Sequence, residues 1–177
     1  MIIVLLSDIP WHGLHQRPHH IASALAEHWK VLWVEPTTLG EKSHFRPFFA
    51  KPNIYVVTLP TIPYNARAPF IKSSARLLSY VTPLRWMVSL IQFILLRKAL
   101  KILRWTGESV GFVIHNFQFT HLVGRLRSSF ILFDYMDNVF GFTRLPKHVE
   151  SEWVRTVRMA NIITVTSVAL AKQIEQV

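Results

Sequence analysis

The chain has 177 residues, 50% of them hydrophobic, with 20 Lys+Arg against 10 Asp+Glu and no cysteine. This length builds one domain with a substantial core, and the hydrophobic fraction excludes a disordered chain; without cysteine there are no disulfides, thiolate zinc sites or cysteine nucleophiles, which fits a reducing compartment. The formal charge of +10 favours an anionic partner: nucleic acid, acidic headgroups or a phosphorylated ligand.

The amino terminus, MIIVLLSDIPW, has no basic segment and a short apolar run. It reads as a buried strand over 2–6 rather than a signal peptide. The stretch WHGLHQRPHH (11–20) then gathers His12, His15, His19 and His20 with Arg17. Pro18 suits the first turn of a helix whose apolar face carries Ile21, Ala22, Leu25 and Trp29. Short apolar, β-branched runs at 30–36, 54–59, 110–116, 129–134 and 161–167 read as further strands buried on both faces. Residues 60–82, with Pro60, Pro63 and Pro69, read as an irregular connection carrying Arg67, Lys72 and Arg76. From 83 to 105 a helix is expected, with Arg97, Lys101 and Arg104 on one face. Its apolar centre, 86–96, is about half of what a bilayer span needs. Two readings stay open for it: a buried helix with a charged end, or an element lying on an anionic membrane surface through Arg85, Arg97, Lys98, Lys101 and Arg104. A further helix is under way at 167–177.

Strands alternating with helices predict an α/β, Rossmann-like, doubly wound and mainly parallel sheet with helices on both faces, formed by residues 1–177 as a single domain. Ligands of such sheets bind beyond the carboxyl ends of the strands, where strand order reverses. With the first strand central, that crevice lies between the loop after it and the loop after 110–116, which holds His115, Asn116 and Gln118. Asp134 and Asp137 follow the next strand.

A helix amino terminus attracts phosphate or carboxylate; Gly13 would allow close backbone approach, and Arg17 a bidentate contact. One glycine makes neither a dinucleotide fingerprint nor a P-loop. Glu35 stands where dinucleotide enzymes place an acid against ribose. Zinc on the four histidines is disfavoured, because Pro18 breaks the helical frame between the pairs and no carboxylate or thiolate lies nearby. Asp134 and Asp137 are each open to an N-cap role or to proton transfer, with Asp137 the better catalytic candidate and Asp134 the better structural one. His115 is open to a core role or to ligand contact.

The blocks W-x-G-x-x-Q-R-P-H-H-I-A-x-x-L-A with V-L-W-V-E-P, F-D-Y-M-D-N-V-F-G-F and A-N-I-I-T-V-T-S-V-A-L-A resemble a branch of bacterial family-4-like glycosyltransferases, of the teichuronic-acid or cell-wall polysaccharide type. The resemblance runs along nearly the whole chain and is weakest over 60–105. It implies the acceptor-side, amino-terminal half of a GT-B fold, with a separate carboxyl-terminal nucleotide-sugar domain that this chain lacks, so that the chain alone would be inactive. It implies transfer of a sugar from a nucleotide-sugar substrate to a lipid-linked or polysaccharide acceptor, with no metal or other cofactor, at the cytoplasmic face of the plasma membrane. By the same resemblance Asp137 and His115 are the catalytic candidates, of which at most one fits a single stereochemical course. Gly13, Arg17, His12 and Gln16 would line the donor-phosphate side of the cleft, and Trp11, His19, Asn116 and Asp134 the acceptor side. The alternative is a non-enzymatic basic α/β module binding nucleic acid or nucleotide; no nucleic-acid motif favours it.

Overall fold

The computed structural model describes residues 1–37, 42–61, 82–142 and 147–177. The expected basic residues Arg67, Lys72 and Arg76 lie outside these segments. In chain order the elements are β1 (Ile2–Leu6), α1 (Arg17–Ala26), β2 (Lys30–Pro36), β3 (Phe48–Lys51), β4 (Ile54–Leu59), α2 (Thr82–Ile102) and β5 (Val110–Ile114). A 3-10 turn (Phe117–Phe119), α3 (Thr120–Val123), β6 (Ser128–Tyr135), α4 (Val139–Phe142), α5 (Lys147–Met159), β7 (Ile162–Val165) and α6 (Val168–Glu175) follow.

Among the described residues one sheet forms, in the order β3-β4-β2-β1-β5-β6-β7. All neighbours are parallel except β3, which runs antiparallel to β4 at the edge. The sequence pattern gives the reason for the parallel part. β1 is buried along its whole length, and its alternate residues feed two cores. Ile2, Val4 and Leu6 join Phe112, Ile114 and Phe133 under α2, α3 and α5; Ile3 and Leu5 join Trp33, Val56 and Val113 under α1. A strand that must be apolar on both faces cannot show polar alternation.

Two expectations change. Strand β3 was not foreseen: its residues alternate between half-buried and exposed, as an edge strand's do. Trp29 does not belong to the α1 face. The helix stops at Ala26, whose carbonyl accepts a hydrogen bond from Asn53 Nδ2 at 2.9 Å, and Trp29 stands 36% exposed beyond it. Ile21, Ala22 and Leu25 do pack on the sheet as expected, joined by the buried Pro18, His19 and Ala26.

With β1 flanked by β2 and β5, strand order reverses at the ends of β1 and β5. That is where the loops 7–16 and 115–119 meet. On β5, Gly111 gives room to a neighbour: a Cβ there would lie 2.9 Å from Phe130 Cδ1 and 3.0 Å from Ile3 Cδ1. We expect Gly111→Ala to destabilise the chain by about 1–3 kcal/mol, the usual cost of overpacking. Urea unfolding against the parent chain measures it, and an unchanged midpoint would contradict this packing.

Candidate functional site

The opening loop is held by its own polar groups. The Gln16 backbone N–H donates to His19 Nδ1 at 3.2 Å, and His19 Nε2 lies 3.1 Å from the Trp11 carbonyl. An Nδ1 that accepts leaves the proton on Nε2, so His19 is the neutral Nε2–H tautomer and donates to Trp11. Burial lowers its pKa, in keeping with that neutral state. Its ring is fully buried between Trp11 and Trp33, at centroid distances of 5.2 and 4.7 Å. His19 therefore serves the loop, with both nitrogens used inside the chain.

Trp11 is 6% exposed, and its backbone N–H donates to Glu35 Oε2 at 2.7 Å, while the Thr58 hydroxyl donates to Glu35 Oε1 at 3.0 Å. Glu35 is thus a buried brace between β2, β4 and the loop. His12 stacks on Phe48 with rings 8° from parallel, and His15 stacks on His19. Gly13, exposed, forms a turn through its N–H to the Pro10 carbonyl at 3.2 Å. Among the described residues no three His, Asp or Glu side chains gather to hold a metal ion.

Arg17 opens α1 and reaches across the sheet edge to the end of β6. Its Nε donates to Asp134 Oδ2 and its Nη2 to Asp134 Oδ1, both at 2.9 Å. Thr164 on β7 donates to Oδ1 at 2.6 Å. The Asp134 side chain has no solvent exposure, whereas that of Arg17 keeps 47%. Asp134 therefore neither caps a helix nor offers a free oxygen to solvent; it anchors the arginine. This bidentate fork also commits Arg17 Nε and Nη2 to the protein, leaving its exposed Nη1 edge for an external anion.

His115 lies beside the pair, its Nδ1 3.4 Å from Asp134 Oδ2 and its side chain without solvent exposure. That separation is too long for a good hydrogen bond, and neither ring nitrogen has a partner. Burial pushes its pKa down to about 4, with Asp134 pulling it up and Arg17 pushing it further down. At neutral pH the contact is a neutral imidazole beside a carboxylate, not an ion pair. Two unpaired ring nitrogens next to a fixed charge pair leave His115 with unused hydrogen-bonding capacity at the strand-order reversal. Asn116 is not free in this way. Its Oδ1 accepts from the Gln118 N–H at 3.0 Å and its Nδ2 reaches the Ser7 carbonyl at 3.4 Å, so it ties the two loops together.

Asp137 is exposed, in contrast to Asp134. It lines a hollow of about 300 Å³ with Thr166, Ser167 and Gln173, at the start of α6. Asp8, which follows β1, senses the same carboxylate. Crowding around Asp8 raises its pKa although part of the residue reaches solvent, and the negative charge of Asp137 adds to the rise. Tyr135 is pushed up to about 12, by burial first and by Asp137 second. Asp8 was not singled out from sequence, although an acid directly after a central strand is the signal that would have found it.

Helix α2 is not buried all round. Trp86, Met87, Ile91 and Ile94 are exposed, by 40–63%, on a stripe that continues through Arg97, Lys98 and Lys101. Arg85 leaves this group: it turns to the opposite side of α2, where its Nε is buried. No helix among the described residues is long and apolar enough to cross a membrane.

No protein-family model matches the chain, and no curated protein matches it by sequence. Among solved structures, one described as trehalose-6-phosphate from E. coli bound with UDP-2-fluoro glucose superposes with a TM-score of 0.50 at 15% identity. The likeness covers 92% of this chain and 39% of that one, so the chain spans well under half of the neighbour's length. At such identity the likeness establishes the fold, a Rossmann-like, mostly parallel α/β sheet with helices on both faces.

Two measurements test the charge network. Arg17→Met strands a buried carboxylate and should cost about 1–3 kcal/mol, with Asp134→Asn in the same chain recovering part of the loss. His115 and His121 are both held down to about 4 from an ordinary 6.5, so between these values the unfolded chain binds protons that the folded chain does not. Stability should therefore fall as pH drops from 6.5 towards 4, and His115→Gln should flatten that fall in urea unfolding.

Proposed function

We propose that the chain is the acceptor-side domain of a glycosyltransferase of GT-B type, moving a sugar from a nucleotide-sugar to an acceptor hydroxyl. The observation that carries this reading is His115, buried with both ring nitrogens unpaired beside the Arg17–Asp134 pair, at the point where strand order reverses. A buried imidazole without a partner costs about 1–3 kcal/mol, a cost that the fold by itself does not require. The fold likeness to a chain solved with UDP-2-fluoro glucose supports a nucleotide-sugar as the donor. The resemblance to family-4-like enzymes of the teichuronic-acid or cell-wall polysaccharide type supports a lipid-linked or polysaccharide acceptor.

In this reading, rate comes from positioning and from offsetting charge on the departing phosphate. Gly13, with His12 and Gln16, approaches the donor phosphate from the loop, and the free edge of Arg17 supplies positive charge. Asp137, exposed in its hollow, takes the proton from the acceptor hydroxyl. His115 is the alternative: it contacts the donor sugar if the configuration is retained. A second domain completes the donor site.

The exposed stripe of α2 supports docking on an anionic membrane surface at its cytoplasmic side. Its amino-terminal half offers Trp86, Met87, Ile91 and Ile94 to the acyl boundary, and its carboxyl-terminal half offers Arg97, Lys98, Lys101 and Arg104 to the headgroups. Basic residues in this position contribute about 1 kcal/mol each.

Two experiments test the reading. In a polypeptide joining this domain to its nucleotide-sugar domain, Asp137→Asn should lower kcat by about 100-fold or more while donor affinity is kept, the scale of a lost general base. Normal turnover in both Asp137→Asn and His115→Ala would overturn the assignment. Co-sedimentation with phosphatidylserine vesicles should be strong at low salt, weaken at about 0.5 M salt, and fall when Trp86 and Ile91 are changed to serine. Preference for DNA or RNA over these vesicles would favour a nucleic-acid module instead.

A further inference from the structure

Three buried polar atoms without any hydrogen-bond partner belong to residues around one cavity: Arg85 Nε, His121 Nε2 and Glu152 Oε2. The cavity has a volume of about 230 Å³ and lies between the start of α2, the 3-10 turn with α3, and α5. Gln92 and Gln118 also line it. It shares no residue with the Arg17–Asp134–His115 network, and nothing in the proposed transfer reaction uses it.

The electrostatics around the cavity are lopsided. Arg85 and Arg155 act on the Glu152 carboxylate, and Arg125 and Arg155 on His121. Burial raises the pKa of Glu152 against the pull of Arg155 and Arg85. His121 is held down to about 4, by burial first and then by the positive charge of Arg125, with Arg155 adding to it. Two of the three unpaired atoms have opposite needs. Arg85 Nε must donate, whereas an ionised Glu152 Oε2 must accept. His121 Nδ1 lies 3.1 Å from the Gln118 carbonyl, so it carries the proton, and Nε2 is left as an acceptor. An anion alone would satisfy the arginine and leave Glu152 and His121 without donors. A hydroxyl both donates and accepts, so the hydroxyls of a sugar could answer all three. What favours an added anionic group is charge: the positive fields of Arg85 and Arg155 act on Glu152, and those of Arg125 and Arg155 on His121, against the one carboxylate among the residues lining the cavity.

We propose that this cavity binds a compact hydroxylated anion, a sugar monophosphate by chemical class, with Arg85 on the phosphate and His121 and Glu152 accepting from hydroxyls. The volume is below the usual range for drug-sized ligands, which limits the occupant to about one sugar ring.

Calorimetric titration of the 177-residue chain with ribose 5-phosphate, ribose and inorganic phosphate tests this directly. Ribose 5-phosphate should bind saturably, and each of the other two about tenfold more weakly or worse. Arg85→Ala and Glu152→Gln should each weaken ribose 5-phosphate binding by about tenfold, with unchanged far-UV circular dichroism showing that both variants fold. Glu152→Gln keeps the side chain's size, so it reads the acceptor and not the packing. The proposal is overturned by absence of saturable ribose 5-phosphate binding, which means a water-filled cavity only. It is equally overturned by inorganic phosphate binding as tightly as ribose 5-phosphate, or by variants that bind like the parent.

Discussion

The bidentate pair between Arg17 and Asp134 fixes more of this molecule than any other single contact. A carboxylate with no exposure has to be matched by a fixed positive charge, and the arginine that does so stands 117 positions away in sequence. Satisfying Asp134 therefore pins the first turn of α1 over the carboxyl ends of β1, β5 and β6. The chain between β1 and α1 then has ten residues, 7–16, to cross the end of its own strand. Trp11, Glu35 and His19 tie that crossing down from inside, while residues 12–17 stay exposed.

The parallel core was legible because burial on both faces leaves a direct mark: β1 and β5 are uninterrupted apolar runs, and β2 and β4 are broken near their ends only by Glu35 and Thr58 beyond the opening Lys30. β3 left no such mark. FFAK sits between Pro47 and Pro52, alternates in exposure and pairs only with β4, so its identity as a strand comes from the neighbour. Trp29 misled for a related reason. A tryptophan at the right helical spacing is a strong apolar signal, but the hydrogen bond from Asn53 ends the helix one turn earlier, and that partner is distant in sequence.

For the site, sequence identified the right loops and not the partnerships within them. His19 and His115 look alike as residues beside a sheet edge. One has both nitrogens committed to the backbone, the other has neither, and the difference arises from which atoms lie within about 3 Å after folding. Asp134 and Asp137 divide in the same way: three positions apart, one is sealed under Arg17 and Thr164 and the other faces a hollow. Helix α2 also hid its design, because an apolar residue turned outward reads the same in sequence as one turned inward. Its two faces separate only when Arg85, Gln92 and Leu96 are seen to face the protein and Met87, Ile91 and Ile94 to face away.

Where the unpaired buried atoms fall is informative in itself. Two are the indole nitrogens of Trp33 and Trp153, each a lone donor on a large apolar ring that packing compensates. Among the described residues all the others belong to His115, Arg85, His121 and Glu152, on segments that follow β4, β5 and β6 in the chain. Folding alone would not gather such costs on these segments, because each could be removed by an apolar residue of similar size. Unsatisfied groups persist where something other than the fold uses them. By that argument the chain carries two separate demands, one at the buried His115 ring and one at the cavity lined by Arg85, and the burial achieved by the sheet beneath them offsets both.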